Sequence, residues 1–439
     1  MTSYNESVED RILAPLTGSS RPFWIWVGAL IAIILWGVVV YVMQAREGLI
    51  VTGMRDRIMW GLYVTLFVMF IGASMAGTFV SAVLRLTGVS WRGPIVRSAE
   101  MITVAALVVA ALFIFFDMGR PERALNIVIF GRWESPLIWD VYGLATYLAG
   151  SLLYLYLASI PDIAMIRDLV PGSQRLRSAL YRAYAVNWTG SVEQRRVLFS
   201  ALGLMAIIMV PVAVMMHTVT SWIFGMTLRE PWNSPMFGIF FVGGAIYSGV
   251  GLIVIMMFIV KRVYRLNDLI TEDHFLKLGY LLATFAALMV FFNVSEFVTL
   301  GYKTSTDASF YIMQMTRGSM APVFWIYIWA GLILPIVLIA LPWTRNIRGV
   351  VVASILANGG MLLERYFIVV GGLKVPLNPY EPASYFPTWI EWSLMLAGVA
   401  VFVLIITALA KALPIVAIWE LREEQHEIES TARVAEGSA

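Results

Sequence analysis

Residues Phe23–Met43 read FWIWVGALIAIILWGVVVYVM, an apolar run without a charged side chain. A helix that crosses a bilayer needs about 20 such residues, so this run predicts a transmembrane span. It is longer than the core of a signal peptide, and we expect it to be retained. Similar runs predict ten spans in all, roughly Phe23–Met43, Ile58–Leu84, Arg97–Phe116, Ile138–Ile160, Val197–Val219, Met236–Val260, Leu276–Leu300, Pro322–Pro342, Ile347–Val370 and Trp389–Ala410.

The composition supports an integral membrane protein. Hydrophobic residues make up 60% of the 439 positions and charged residues 13%, against about 25% charged residues in a soluble domain. A soluble enzyme, a disordered chain and a fibrous protein are excluded, and the continuous runs do not alternate as barrel strands do. The predicted fold class is all-α. A net charge of +3 without a basic run gives no reason to expect nucleic acid binding.

Cysteine is absent and only three histidines occur. The chain therefore cannot form disulfides or hold an iron–sulfur cluster through thiolates. Only His217 lies within an apolar run, so an intramembrane haem with two axial histidines is not expected. The sequence also contains no metal-binding or phosphate-binding motif.

The ten runs define one membrane domain, residues 23–410, between an N-tail of residues 1–22 and a C-tail of residues 411–439. Lys and Arg are more abundant in the two tails and the even-numbered loops than in the odd-numbered loops. The positive-inside rule then places both termini in the cytoplasm. We expect the protein in the inner, or cytoplasmic, membrane.

Three ionisable residues fall at one predicted level, near the outer interface. Asp117 ends the third span, Asp140 lies in the first turn of the fourth with Tyr142, and His217 lies near the end of the fifth. Ionisable residues inside a membrane indicate function. Histidine titrates near neutral pH, and a neighbouring carboxylate can exchange protons with it. These side chains could hold a polar head group that releases or takes up protons.

A structural interpretation remains open for the same loop. Arg120 and Arg123 follow Asp117 closely, and they could pair with the two aspartates only to pin the loop. Trp222 belongs to the aromatic residues that cluster at run ends, as in interfacial belts.

A second group of charges could form a proton path. Glu296 lies near the outward end of the seventh span, and Glu364 and Arg365 lie within the ninth, where they could equally be a packing ion pair. Glu100 lies roughly 25 Å from Asp117 along the third span. It could be the cytoplasmic entrance of the path, or a solvated carboxylate at a helix start.

Several stretches resemble the NrfD-like, or polysulfide reductase, family of membrane subunits. They are DMGRPER at Asp117–Arg123, SPLIWDVYGLATY at Ser135–Tyr147, IPDIAMIRD at Ile160–Asp168, HTVTSWIF at His217–Phe224, FVGGAIYSG at Phe241–Gly249 and ERYFIVV at Glu364–Val370. Within the family, the sequence is most similar to the quinol-oxidising membrane protein of alternative complex III. Asp117 is a departure, since His is common at this position in that protein.

The resemblance implies two four-helix bundles, over about residues 58–219 and 236–370, with two flanking helices. It also implies a quinone site near the outer face of the first bundle. His217 and Asp140, with Asp117 nearby, are then the candidate catalytic residues. Arg120, Tyr142 and Trp222 are the candidate quinone-binding residues, and Arg120 would also hold Asp117.

The predicted function is quinol oxidation within a respiratory or photosynthetic complex, with proton translocation as a further expectation. The quinone would be menaquinone or ubiquinone. Electrons would pass to an iron–sulfur subunit docked on the outer face, because this chain has no thiolate ligands. Further expected partners are other membrane subunits, including a homologous one, a cytochrome c or molybdopterin-type subunit, and lipid.

Three alternatives stay open. An ion or solute carrier would use the intramembrane Glu and Arg residues as a route, although no clear inverted repeat is visible. A quinone-reducing anchor of a molybdoenzyme complex would reverse the electron flow. A purely structural anchor would leave the level shared by Asp117, Asp140 and His217 unexplained.

Overall fold

The computed structural model describes residues 2–169, 175–227, 229–303, 305–376 and 383–422. Across these residues, ten helices are long and apolar enough to cross a membrane. The predictions of an all-α integral membrane protein and of ten spans are confirmed. The spans are α1 (Arg21–Glu47), α2 (Leu62–Leu86), α3 (Gly93–Asp117), α4 (Pro136–Leu169), α5 (Val192–Gly225), α6 (Phe237–Val263), α7 (Glu272–Tyr302), α8 (Ala321–Ala340), α9 (Ile347–Lys374) and α10 (Trp389–Ala412).

The spans pack as two four-helix bundles, as the family resemblance implies. In the first bundle, α2 and α4 each pack against α3 and α5. In the second bundle, α6 and α8 each pack against α7 and α9. α2 and α6 meet at the boundary between the bundles, while α1 and α10 pack on each other and α10 also packs on α3. The two flanking helices are therefore the first and last spans.

Small residues allow close approach between neighbouring spans. A Cβ on Gly331 of α8 or on Gly360 of α9 would collide with the Cα of the other glycine. Gly37 of α1 faces Ala397 of α10 in the same way. Hydrophobic burial does not drive helices together in lipid, so such close backbone packing contributes much of their association.

The first and last described segments lie on one side of the bundles, which we call the terminal face; the opposite side is the distal face. At the terminal face, the helix Thr2–Thr17 and residues 415–418 bury apolar side chains in the main core. Parts of the predicted tails, 1–22 and 411–439, therefore pack against the membrane domain. The part of the second tail beyond residue 422 lies outside the described residues.

At the distal face, a distal clamp formed by Glu391, Tyr385, Gly53 and Leu62 joins α10 to the start of α2. Glu391 accepts hydrogen bonds from the Gly53 N–H at 2.7 Å and from the Tyr385 hydroxyl. The same hydroxyl accepts the Leu62 N–H at 2.7 Å. Burial and the Glu391 carboxylate raise the pKa of Tyr385, so the phenol keeps its proton and acts as the donor.

Three spans contain a π-helical turn within the described part of the chain: Phe79–Val83 in α2, Tyr327–Ile333 in α8 and Phe367–Gly371 in α9. Such turns occur frequently at functional sites. The turn in α2 carries Ser81, which contacts a buried carboxylate on α3. The turn in α9 directly follows Glu364 and Arg365, so buried charge lies beside the π-turns of both bundles.

Candidate functional site

His217 is fully enclosed in the first bundle, with 1% of its surface exposed. Its Nδ1 lies 2.7 Å from the carbonyl oxygen of Ala213 on α5, and its Nε2 lies 3.0 Å from the carbonyl oxygen of Ile71 on α2. A neutral imidazole has one N–H and can donate to only one of these oxygens, whereas the protonated ring donates to both. A protonated His217 ring would therefore find a backbone carbonyl oxygen as acceptor for each of its two N–H groups.

The depth of His217 differs from the sequence-based expectation. The predicted fifth span ended at Val219, which placed the histidine at the outer interface. In the structure α5 continues to Gly225, so His217 lies roughly 12 Å below the distal end of its helix. It is thus deeper in the membrane than Asp117, which is the last residue of α3.

Asp140 lies in the second turn of α4 and is 6% exposed. The hydroxyl of Thr220 donates to its Oδ1 at 2.6 Å. Thr220 follows His217 by three residues and therefore occupies the same face of α5. Asp140 and His217 do not hydrogen-bond, because both ring nitrogens contact backbone oxygens, and Thr220 places Asp140 one turn along α5 from the histidine. The sequence-based reasoning missed Thr220, although its spacing from His217 was visible.

Asp117 is not brought to Asp140 or His217. The carbonyl of the preceding Phe116 accepts a hydrogen bond from Gln44 of α1 at 2.8 Å, and the Tyr63 hydroxyl of α2 donates to the same Gln44 at 2.6 Å. Among the described residues, Asp117 interacts electrostatically with Tyr63 and Glu391, and its Oδ1 is buried without a hydrogen-bond partner. The end of α3 thus faces α1, α2 and α10.

Arg120 does not hold Asp117, contrary to the sequence-based prediction. Arg120 and Arg123 are exposed on the loop that follows α3, because the chain leaves the helix at Met118 and forms a short turn at Pro121–Arg123. In the described structure neither arginine pairs with Asp117 or Asp140. The structural alternative, in which these ion pairs pin the loop, is therefore wrong as well.

Tyr142 and Trp222 belong to an aromatic wall on the outer side of α4 and α5, formed with Trp133 and Trp139. Tyr142 stacks on Trp133 with ring centroids 5.2 Å apart, and Trp222 lies edge-on to Trp139 at 6.4 Å. Tyr142 is 40% exposed and Trp222 is 42% exposed. The wall therefore presents flat apolar rings to the hydrocarbon beside the inward-facing Asp140.

A polar ladder on α2, formed by Ser74, Thr78 and Ser81, continues from the histidine toward the terminal face. The Tyr147 hydroxyl of α4 donates to the Ser74 carbonyl at 3.1 Å and lies 2.8 Å from the Thr78 hydroxyl. One turn further, the Ser81 hydroxyl donates to Glu100 at 3.0 Å. The sequence-based reasoning missed this ladder. Its signal is hydroxyl residues at helical spacing within an otherwise apolar run.

Glu100 is buried, with 4% of its surface exposed, so the interpretation as a solvated carboxylate is wrong. It lies in a terminal charge cluster with Arg85, Arg97, Asp162 and Glu420. Arg97 pairs with Asp162 at 2.9 Å and Arg85 pairs with Glu420 at 2.6 Å. Within the described structure, Glu100 has no ion-pair partner and its Oε2 has no hydrogen-bond donor. The segment after α10 covers it from water, which the apolar spans alone did not reveal.

The second bundle neutralises its buried charges locally. Glu364 pairs with its neighbour Arg365 at 3.0 Å, and the Arg365 guanidinium lies 4.8 Å from the centroid of the Phe241 ring. Glu296 lies nearer the distal face, where the Ser234 hydroxyl donates to it at 2.6 Å. The predicted proton path therefore falls into separate groups, and Glu100 belongs to the other bundle.

Within the described residues, no group of three His, Asp or Glu side chains could hold a metal ion. The buried imidazole, carboxyl and hydroxyl groups of the first bundle can give and accept protons, and they are arranged around α2 on the inner side of the aromatic wall. They can bind an oxygen-bearing head group and exchange protons with it.

Comparison with protein families identifies the fold. The family described as polysulphide reductase, NrfD, matches residues 50–376, which is well over half of the chain. The chain belongs to the NrfD family. This confirms the resemblance drawn from the motifs at the family level, whereas the narrower likeness to alternative complex III stays a prediction.

Three relatives resemble this NrfD chain over nearly its full length. A putative dimethyl sulfoxide reductase membrane subunit of Halobacterium salinarum is 26% identical over 89% of this chain and 91% of its own. The Hdr-like menaquinol oxidoreductase integral membrane subunit of Archaeoglobus fulgidus is 24% identical over 93% of this chain and 98% of its own. The integral membrane subunit of menaquinone reductase from Nitratidesulfovibrio vulgaris is 23% identical over 90% of this chain and 93% of its own.

Proposed function

We propose that this NrfD chain is the quinone-binding membrane subunit of a multi-subunit oxidoreductase and that it oxidises menaquinol. The observation that carries the proposal is the placement of His217 and the Thr220–Asp140 hydrogen bond one turn apart on one face of α5, buried below the distal face beside the aromatic wall. Two of the relatives are named for menaquinol or menaquinone. A lipid-soluble quinol would reach these groups from the hydrocarbon past Tyr142 and Trp222.

The proposed chemistry follows from the acceptors present. Oxidation of a quinol to a quinone releases two electrons and two protons. Asp140 as a carboxylate accepts one hydroxyl proton, and His217 accepts a proton with both ring nitrogens satisfied by backbone oxygens. Asp117 lies away from this pair. In this scheme its interactions are with residues near the distal loops, and it does not exchange a proton with the head group.

The released protons have a route through the same bundle. From His217, the polar ladder of α2 leads past Tyr147 to Ser81 and Glu100 at the terminal face. Its hydrogen bonds join α2 to His217 on α5, Tyr147 on α4 and Glu100 on α3, and successive groups of the ladder lie one turn apart. We include proton movement along this route in the proposal, and Glu100 would be its terminal-face end.

The electrons must leave to another subunit. Without cysteine, an iron–sulfur cluster held by thiolates belongs to a partner, which would dock on the distal face near the site. The excess of Lys and Arg on the terminal side supports a cytoplasmic terminal face and an outward distal face.

The test is Asp140→Asn in the intact complex. The amide still accepts the Thr220 hydrogen bond, so assembly is retained, but it cannot take a proton. Quinol turnover should fall by about 100-fold or more. Asp168→Asn at the other end of α4, where the carboxylate is exposed, is the matched control and should turn over normally. An assembled Asp140→Asn complex with unchanged turnover would contradict the proposal.

A second candidate is the reverse reaction, in which a partner's electrons reduce the quinone. The name of the Nitratidesulfovibrio vulgaris relative favours it. The same residues would then donate protons instead of accepting them. Measuring oxidation of added menaquinol against reduction of added menaquinone in one preparation distinguishes the two directions.

A further inference from the structure

A cavity of about 420 Å³ opens at the terminal face between α4, α5 and the segment after α10. Its inner wall is apolar and includes Met165, Leu198 and Phe199. Its rim carries arginines and two tryptophans. The cavity lies at the opposite side of the bundle from the proposed quinone site and does not depend on it.

Two hydrogen-bond donors converge inside this cavity. A Cβ placed on Gly190 would lie 3.7 Å from Nη2 of Arg195 and 3.9 Å from Nε1 of Trp188. Both donors therefore reach one point above Gly190. In the described residues neither side chain donates to a protein acceptor, so the positive charge and the indole N–H are available to a ligand.

The other rim arginines are already engaged. Arg167 forms two hydrogen bonds with Asp168, at 2.8 and 3.0 Å. Arg422 forms two with Glu9, at 2.7 and 2.6 Å. Arg195 is thus the rim arginine whose charge is not balanced by a described carboxylate.

The turn that carries Trp188 is held in place before any ligand arrives. The side-chain oxygen of Gln194 accepts the N–H groups of Thr189 and Gly190 at 2.9 and 3.1 Å. Preorganisation of this kind lowers the entropic cost of binding.

We propose that the cavity binds the phosphate group of an anionic phospholipid. The phosphate would lie between Arg195 and Trp188, and the acyl chains would pass Leu198 and Phe199 toward the exposed Leu204 and Ile207 of α5. Basic pockets between spans on the cytoplasmic side bind anionic head groups in this way. The apolar inner wall of the cavity favours a lipid over a free anion, because it can contact acyl chains.

The experiment uses the purified, delipidated full-length protein and measures added phosphatidylglycerol by native mass spectrometry, with phosphatidylcholine as the neutral comparison. Arg195→Ala should weaken phosphatidylglycerol binding about tenfold, since charge-assisted hydrogen bonds carry that much. Trp188→Phe should weaken it about threefold. Arg196→Ala removes the neighbouring charge, which does not line the cavity, and should leave binding unchanged.

Two results would overturn the proposal. Equal losses in Arg195→Ala and Arg196→Ala would mean that general surface charge attracts the lipid. Full displacement of phosphatidylglycerol by millimolar inorganic phosphate would assign the two donors to a free anion instead of a lipid. Retained binding after phosphate addition, together with loss in Arg195→Ala alone, supports the lipid site.

Discussion

The two bundles contain similar helices but treat buried polarity differently. In the first bundle, polar side chains bond between helices, so that α2 is joined to α3, α4 and α5 by Ser81, Thr78 and the Ile71 carbonyl. In the second bundle, Glu364 is neutralised by the adjacent Arg365 on its own helix. The first arrangement links neighbouring helices over roughly 15 Å of α2, whereas the Glu364–Arg365 pair stays within one helix.

This difference supports the proposal that the first bundle handles protons. Proton movement needs groups that can both give and accept hydrogen bonds along a continuous line. Hydroxyls and an imidazole meet that need, while a paired Glu and Arg hold each other's charge. Buried ion pairs are also weak evidence for stability, because desolvation offsets their attraction. We therefore assign chemistry to the first bundle and packing to Glu364 and Arg365.

The largest expected effect comes from removing His217. His217→Ala should assemble, since the side chain fills a small interior volume, but quinol turnover should fall by about 100-fold to 10,000-fold, the range for a general base. Turnover is measured with menaquinol and the natural acceptor, after the subunits have been quantified. Normal turnover in an assembled His217→Ala complex would move the chemistry away from the first bundle.

The second expected effect is on stability and concerns Glu364. Glu364→Gln leaves the Arg365 charge unpaired and should lower the unfolding free energy by about 3–5 kcal/mol. Replacing both residues with Met should restore most of that loss and keep quinol turnover. Thermal unfolding in detergent and turnover are measured on the same samples. If the double variant is stable but inactive, the pair belongs to the proton path predicted from the sequence.

A matched pair of tyrosines compares the bundles directly. Tyr147→Phe removes the hydroxyl that joins Thr78 to the Ser74 carbonyl, and Tyr247→Phe removes one that donates to the Gly331 carbonyl at 2.6 Å. Each should cost about 1–3 kcal/mol, as an unsatisfied buried group does. Only Tyr147→Phe should also slow turnover, by severalfold and without loss of bound quinone. Equal turnover in both variants would count against the ladder as a route.

The smallest expected effect concerns the distal clamp. Tyr385→Phe removes one donor to Glu391 and one acceptor for Leu62, and should lower stability by about 1–2 kcal/mol. Because the clamp is remote from His217, turnover of the folded protein should be nearly normal. Differential scanning fluorimetry detects the change, and a loss of turnover that exceeds the loss of folded protein would show that the clamp shapes the site.

The spans could be predicted from the sequence because one property, a run of about 20 apolar residues, decides them. The depth of individual residues in the membrane was harder to predict from the sequence. The end of α5 continues through HTVTSWIF, where Thr and Ser interrupt hydropathy without ending the helix, and this placed His217 too near the surface. Asp140 was correctly predicted to lie near the start of its span.

Contacts between helices could not be read from position along each span. Asp117, Asp140 and His217 all lie in the distal half of their helices, but rotation about the helix axis turns Asp117 toward α1 and α10. Glu100 appeared solvated because no hydropathy pattern indicates that residues 415–418 and Glu420 fold back over it. The rotation of a helix about its axis and the folding of a terminal segment over the bundle both depend on how the complete chain packs.

The fold-back at the terminal face also bears on how the protein is made. Glu420 supplies the partner of Arg85, and Trp419 donates to the Ala158 carbonyl of α4 at 2.8 Å. These contacts come from a segment that is synthesised after all ten spans. The first bundle is therefore complete only when residues beyond the last span are present, and a chain that ends at residue 412 would lack the carboxylate that pairs with Arg85.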